Sequence, residues 1–331
     1  MSIFSKLFGG STGNPSTPTL ITPDDDPKAK QLRVAQTKND WKTVQDFFST
    51  LNDPDERTFY TNTLTDWTGR PDFFDLWVQA SPNCSEAWLL RGVHGTQWAW
   101  EARTGAQAEK VPEEAWAIFF ARLKQAWEDL NKAVELNPAD PTPFGAMIPC
   151  GMGLQADKEL VSKCLQATIA RGVISWQAHT ALLWYLCKKW HGSHEEMFEF
   201  ARSVSQAAPE GHGIHALIPI AHYERWLYMV AFEKDAKGAE EYYKQQDVQR
   251  EILEAYAKSL GSIHFRPSRA TSSQSSFFAH ALTRTDNIRQ AQTEFRRLNN
   301  RVPEFPWRHI GDPLEVYSTY TKFVNERMML L

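Results

Sequence analysis

Residues Glu114 to Pro141 read EAWAIFFARLKQAWEDLNKAVELNPADP, and the fold class follows from this stretch. From Ala115 on, the apolar residues Trp116, Phe119, Phe120, Leu123, Trp127, Leu130 and Val134 recur at intervals of three and four. That period stacks side chains on one face of an α-helix. Asn137-Pro138 then stops the helix. Asp140-Pro141 follows with a capping carboxylate and a proline at a first helical position, so a second helix is expected almost at once. The unit defined in this way is a helical hairpin.

The same grammar runs outward in both directions. Before the hairpin, the spacing predicts helices at Lys28–Thr37, Trp41–Leu51, Asp55–Trp67, Pro71–Ala80 and Ser85–Arg103, divided by turn and cap residues such as Asn39-Asp40 and Thr68-Gly69-Arg70. After it come Pro141–Leu154, Lys158–Arg171, Trp176–Lys189, Glu195–Ala207, Ile214–Phe232 and Ala239–Leu260. Ser262–Ser276 reads as irregular, followed by helices at Phe277–Arg284, Asn287–Asn300 and Leu314 to about Met328, with a Pro-rich break at Val302–Trp307. No stretch alternates apolar and polar residues in the manner of a strand. The expectation is an all-α fold.

Composition sets the wider bounds. Of 331 residues, 42% are hydrophobic, with 13 Trp and 19 Phe, which excludes a disordered chain except locally. The net charge of −4 argues against a general nucleic-acid binder or a binder of anionic membranes on electrostatic grounds. Lys258–Leu331 is nevertheless basic, with 11 Lys and Arg against 6 acids, and such a face can meet an acidic partner or be plain solvated helix surface. Cys84, Cys150, Cys164 and Cys187 form no CxxC pair and read as reduced core residues. No apolar run reaches the ~20 residues of a membrane span, and no signal-peptide core is apparent, so a cytoplasmic location is expected.

Residues 1–26 read as a disordered tail and linker. MSIFSKLF carries a short apolar face that can serve as a docking signal, and a Gly, Ser, Thr and Pro run follows it. Residues 27–331 read as a single helical domain. Its pair endings fall at Pro54, Pro82, Pro138, Gly172 and Pro209, at intervals of 28, 56, 34 and 37 residues. Two of these approach the period of a two-helix repeat, and 56 is one unit with an insertion.

Within that rhythm, Ala126, Leu130, Ala133 and Pro138 resemble the second helix and turn of the tetratricopeptide repeat, and Trp88 and Gly92 resemble the large and small positions of its first helix. A small residue on each helix lets the two axes approach. Gly92 and Ala126 lie 34 residues apart where the repeat has about 12, so the hairpin carries roughly 22 extra residues, about three turns on each arm. The wider arrangement is similar to an uncharacterised bacterial family with a tetratricopeptide-like body. Trp88 through Gly105, Leu136–Pro141, Lys189–Ser193 and Phe200-Ala201 carry that likeness, over most of residues 30–260. It implies a right-handed α-solenoid of degenerate, antiparallel helix pairs and a bacterial setting, with no established activity.

In such arrays the first helices line the concave surface, so Arg91, His94 and Trp98 become candidates for a partner-binding groove, with Trp88 and Glu101 alongside and His179 one pair later. Arg and Trp are the residue types that anchor interfaces. A groove role predicts that alanine at Arg91, His94 or Trp98 leaves the fold intact.

The string Trp190-His191-Gly192-Ser193-His194-Glu195-Glu196 reads locally as a helix stop at Gly192 and a Ser193/Glu196 capping box. His191 and His194, together with His215 and His222, offer an alternative set of imidazole ligands for a metal-dependent hydrolase, with His212 and Glu224 nearby. No HExxH, P-loop, nucleophile-and-base or dinucleotide motif is present. The expectation is therefore a module that binds an unknown protein or peptide segment, without a cofactor and without nucleic acid.

Overall fold

The period of Trp116 to Val134 is realised as a 24-residue helix, α6 (Glu113–Leu136), in a computed structural model that describes residues 17–103 and 111–331. Its buried seam is Phe119, Leu123, Ala126, Leu130 and Ala133, with spacings of four and three. Trp116, Phe120, Trp127 and Val134 flank that seam half-buried.

The described residues form sixteen α-helices: α1 (Pro27–Thr37), α2 (Trp41–Phe48), α3 (Pro54–Thr65), α4 (Asp72–Ala80), α5 (Ser85–Arg103), α6, α7 (Thr142–Gly153), α8 (Lys158–Ile169), α9 (Trp176–Tyr185), α10 (His194–Ala207), α11 (Leu217–Tyr228), α12 (Ala236–Tyr242), α13 (Gln246–Lys258), α14 (Thr271–Arg284), α15 (Ile288–Leu298) and α16 (Pro313–Met328). No described helix is long and apolar enough to cross a membrane. The expected break at Thr104-Gly105 and the apolar segment at residues 1–8 lie outside the described residues.

The chain divides into two compact units, Pro27–Met197 and Phe198–Leu331 together with the segment ending at Asp26. In the first unit the helix starts follow the sequence closely. Asp40, Asp157 and Ser175 each accept a backbone N–H of the first turn of α2, α8 and α9. Asp140 accepts from Thr142 N at 2.9 Å as expected, and it is also buried and takes Arg57 Nε at 2.6 Å. Arg57 Nη2 reaches Glu86 at 2.7 Å, so α3, α5 and the start of α7 share one ionic node.

Burial holds three of the four free cysteines as thiols: Cys150 is pushed up to about 12, and Cys84 and Cys164 to about 11.

Gly192 departs from the expected left-handed stop. It sits where a Cβ would come within 2.1 Å of the Leu186 carbonyl oxygen, so its role is close approach of two backbones. Ser193 Oγ accepts from Glu196 N at 3.1 Å, but the Glu196 carboxylate turns to Lys158 instead of completing the box.

The second unit differs more from expectation. Thr19–Leu20 (β1), assigned to the linker, pairs in parallel with Arg301–Val302 (β2), and Asp25 and Asp26 meet Arg301 and Arg269. Ile214–Phe232 is a 3₁₀ turn, α11 and a terminal π turn, and Ala239–Leu260 is broken between α12 and α13. Helix α14 begins at Thr271, inside the stretch expected to be irregular. Its polar residues are buried instead of solvated. Ser275 donates to Glu294 at 2.8 Å, as does Tyr256 at 3.0 Å, and burial raises the Glu294 carboxyl despite Arg297 at 3.1 Å.

His280, wholly buried on α14, is ringed by Tyr223, Trp226, Tyr243, Trp307 and Tyr320 at centroid distances of 5.3 to 6.1 Å. Burial, then Arg284, drives its imidazole down to about 3.

Two predictions follow from packing and burial. A methyl group at Gly92 would lie 2.9 Å from Leu130 Cγ and 3.1 Å from the Ala126 carbonyl oxygen. Gly92→Ala should therefore cost about 1–3 kcal/mol in urea unfolding, and an unchanged midpoint would show that α5 and α6 do not depend on close approach. For His280 the unfolded chain binds the proton that the fold refuses, so stability is present above pH ~6.5 and declines as pH falls toward 3. Between pH 6.5 and 4.5, His280→Phe should gain roughly 2–3 kcal/mol relative to wild type. A difference that stays constant with pH would mean that the folded protein protonates this ring.

Candidate functional site

Helices α5 and α6 pack along each other where Gly92 and Gly95 face Ala126, and an added Cβ at Gly95 would stand 3.2 Å from that of Ala126. Next to this contact, α4, α5, α6 and the preceding turn enclose a cavity of about 300 Å³. Its lining includes Arg91, His94 and Trp98 of α5, all three singled out from sequence. Arg70, Phe74, Arg122, Gln125 and Asp129 also line it, and sequence reasoning missed these. His179 does not. It is buried in α9, with Nδ1 bonded to the Ser175 carbonyl at 2.7 Å.

Each α5 residue has a distinct environment. Arg91 donates through Nε and Nη2 to both oxygens of Asp129, at 2.8 and 2.7 Å, and through Nη1 to Asp75 at 3.2 Å. Asp129 is 1% exposed, and Gln125 also donates to it at 3.0 Å. Burial works against the Arg91 charge, and the carboxylates outweigh it, Asp129 before Asp75, so its pKa is raised. The expectation that Arg91 can be removed without harm to the fold is therefore corrected: this arginine is the counter-ion of a buried acid.

His94 stacks on Phe74 at 4.5 Å between ring centroids, and its two ring nitrogens meet the Thr65 and Gly69 carbonyl oxygens at 3.0 and 2.9 Å. Gly69 N donates to Glu101 at 3.1 Å, so two residues of α5 hold the Gly69 turn at the edge of the cavity. Gly69 adopts φ +74°, a left-handed turn conformation suited to glycine. Burial pushes the His94 imidazole down, while the two carbonyls act in the opposite direction.

Trp98, half-buried, is the aromatic centre of the rim. The Arg122 guanidinium lies 3.3 Å from its ring centroid and donates through Nη1 to its carbonyl at 2.7 Å, and Arg70 lies 5.2 Å from the same ring. Arg70 also pairs with Asp75 at 2.6 Å. Among the described residues, no carboxylate stands within 4 Å of Arg122. Burial, the first cause, lowers the Arg122 pKa; Glu101 opposes this and Arg70 adds to it. The cavity can therefore present a flat apolar ring and a poised cation, but it holds no nucleophile paired with a base.

The four histidines of the alternative reading have different partners. In the first unit, His191 stacks on Tyr185 at 4.7 Å and bonds the Met152 carbonyl at 3.0 Å, and His194 opens α10. In the second unit, His215 meets Ser205 and the Pro209 carbonyl, and His222 bridges Tyr242 and Glu251. Among the described residues, no three His, Cys, Asp or Glu side chains gather in a way that could hold a metal ion. No protein family, curated protein or solved structure matches this chain.

The Arg91–Asp129 pair generates its own prediction. Arg91→Met should destabilise the protein by roughly 3–5 kcal/mol, because it strands the Asp129 carboxylate in the interior, and adding Asp129→Leu should restore much of that loss. Equal losses in the single and double variants would show that the stranded Asp129 carboxylate is not the source of the loss.

Proposed function

We propose that the chain is a protein-interaction module whose cavity beside α5 and α6 holds a peptide or protein segment. In this reading the helices form a right-handed solenoid of degenerate, antiparallel tetratricopeptide-like pairs, acting in the cytoplasm. Repeat arrays of this kind expose long grooves because each unit contacts only its neighbours.

One observation carries the proposal: Arg91, His94 and Trp98, chosen from sequence as groove residues, converge on one cavity of about 300 Å³. That volume lies at the small end of ligand sites, large enough for one or two anchoring side chains and tight for a nucleotide-sized cofactor. The rim chemistry points the same way, since Trp and Arg supply much of the energy in hot spots. The alternative of a metal-dependent hydrolase has no such convergence behind it, because its four histidines each have separate surroundings.

The test is selection of peptides from a random display library on the full-length chain, with Trp98→Ala as the counter-target. Selected peptides should bind the wild type and lose affinity by about tenfold or more on Trp98→Ala, while far-UV circular dichroism stays the same. If no peptide is enriched, or if enriched peptides bind both proteins alike, the cavity is not the interaction site.

A further inference from the structure

The charges around Trp98 are unequally compensated. Arg91 is committed to Asp129 and Asp75, and Arg70 shares Asp75, whereas Arg122 has its aromatic stack and one hydrogen bond to a neutral carbonyl. That bond uses one of the five N–H groups of the guanidinium. Stacking on the indole and the bond to the Trp98 carbonyl fix the plane of the fork, so little freedom is lost when it meets a ligand.

Arg70 approaches the same ring with its side chain about half exposed. Two guanidiniums near one indole repel each other, and an anion placed against both relieves that repulsion only in the bound state.

We propose that the cavity recognises an acidic segment of a partner protein, with one side-chain carboxylate received by Arg122 and Arg70 and a neighbouring apolar side chain laid against Trp98. This rests on the interaction-module reading and names its ligand chemistry. A planar guanidinium takes a carboxylate through two parallel N–H···O bonds, stronger and more directional than neutral ones. The charge count favours a carboxylate over a phosphate. Arg122 is the cavity's one guanidinium without a carboxylate within 4 Å among the described residues, and this single charge matches a monoanion. A phosphate dianion would add a second charge beside Asp129 in the same wall. The small volume favours a side chain over a free polycarboxylic acid with its hydration shell.

The test uses the peptides enriched by display selection on the full chain. Each is resynthesised with its acidic residues intact, with Asp and Glu replaced by Asn and Gln, and with phosphoserine at the same place. Affinities are measured on wild type, Arg122→Gln and Arg70→Gln.

The inference expects enriched peptides to carry Asp or Glu next to an apolar residue. Neutralising that acid, or Arg122→Gln, should each weaken binding by about tenfold or more, and the two together should weaken it little further. Binding should also fall as NaCl rises. Arg70→Gln, at an exposed position, should weaken acidic peptides in the same direction and guards against loss of fold in the Arg122 variant.

Three results would overturn the inference. Enriched peptides lacking acids, still lost on Trp98→Ala, would leave the groove standing and refute its acidic ligand. Phosphoserine peptides binding more tightly than their carboxylate parents would refute the charge match. Citrate or free glutamate displacing the peptides at concentrations near the peptide Kd would make a small acid the occupant. Absence of any enriched peptide would instead defeat the interaction-module reading itself.

Discussion

The close approach of α5 to α6 at Gly92, Gly95 and Ala126 is the constraint on which the first unit depends. A Cβ on Gly92 or Gly95 would press on α6 at 2.9 to 3.2 Å, so the seam closes only because those side chains are missing. The same absence opens the cavity. Gly95, Ala121 and Ala126 are the small residues of its lining, and longer residues on the same two helices, Arg91, Trp98 and Arg122, line it beside them. Tight packing and concavity therefore have one cause: small residues bring the helices together, and large neighbours make the rim.

This arrangement explains which parts of the site could be read from sequence. The α6 period, the capping carboxylate at Asp140, the limits of α5 and the small residues Gly92 and Ala126 are local signals with a fixed physical meaning, and they lie where expected. Arg70, Phe74 and Asp129 reach the cavity through chain separations of 17 to 38 residues from Arg91, beyond any local period. Arg122 was within the stretch that decides the fold and still went unnoticed, because a single arginine between apolar positions looks like solvated surface. A better signal was present: Arg122, Gln125 and Asp129 recur at three and four along α6, a polar stripe next to the buried seam, which solvation alone does not require.

In the second unit, local signals failed for a different reason. Residues Thr271 to Ser276 are rich in hydroxyl and amide side chains, whose backbone-competing hydrogen bonds normally oppose helix. They are helical here because tertiary partners take up some of those groups: Ser275 is held by the buried Glu294, itself bound by Tyr256. A polar stretch reads as loop when its partners are far away in sequence. Likewise, the pairing of Thr19–Leu20 with Arg301–Val302 joins residues that no local pattern connects.

The contrast between Arg91 and Arg122 carries the argument about function. Both are half-buried arginines on the same cavity, and from sequence Arg91 is the more attractive, since it lies on the face expected to line a groove. Its donors, however, are spent on Asp129 and Asp75, so its charge is already balanced inside the fold and a ligand would have to compete with a bidentate buried pair. Arg122 is held by a ring face and a neutral carbonyl, which orient the cation without pairing it with a carboxylate. A cation held in place without a carboxylate in contact is free to take one from a partner, whereas one already paired serves mainly to hold the helices together. On that ground the proposed binding role falls to Trp98, Arg122 and Arg70, and Arg91 belongs to the frame that positions them.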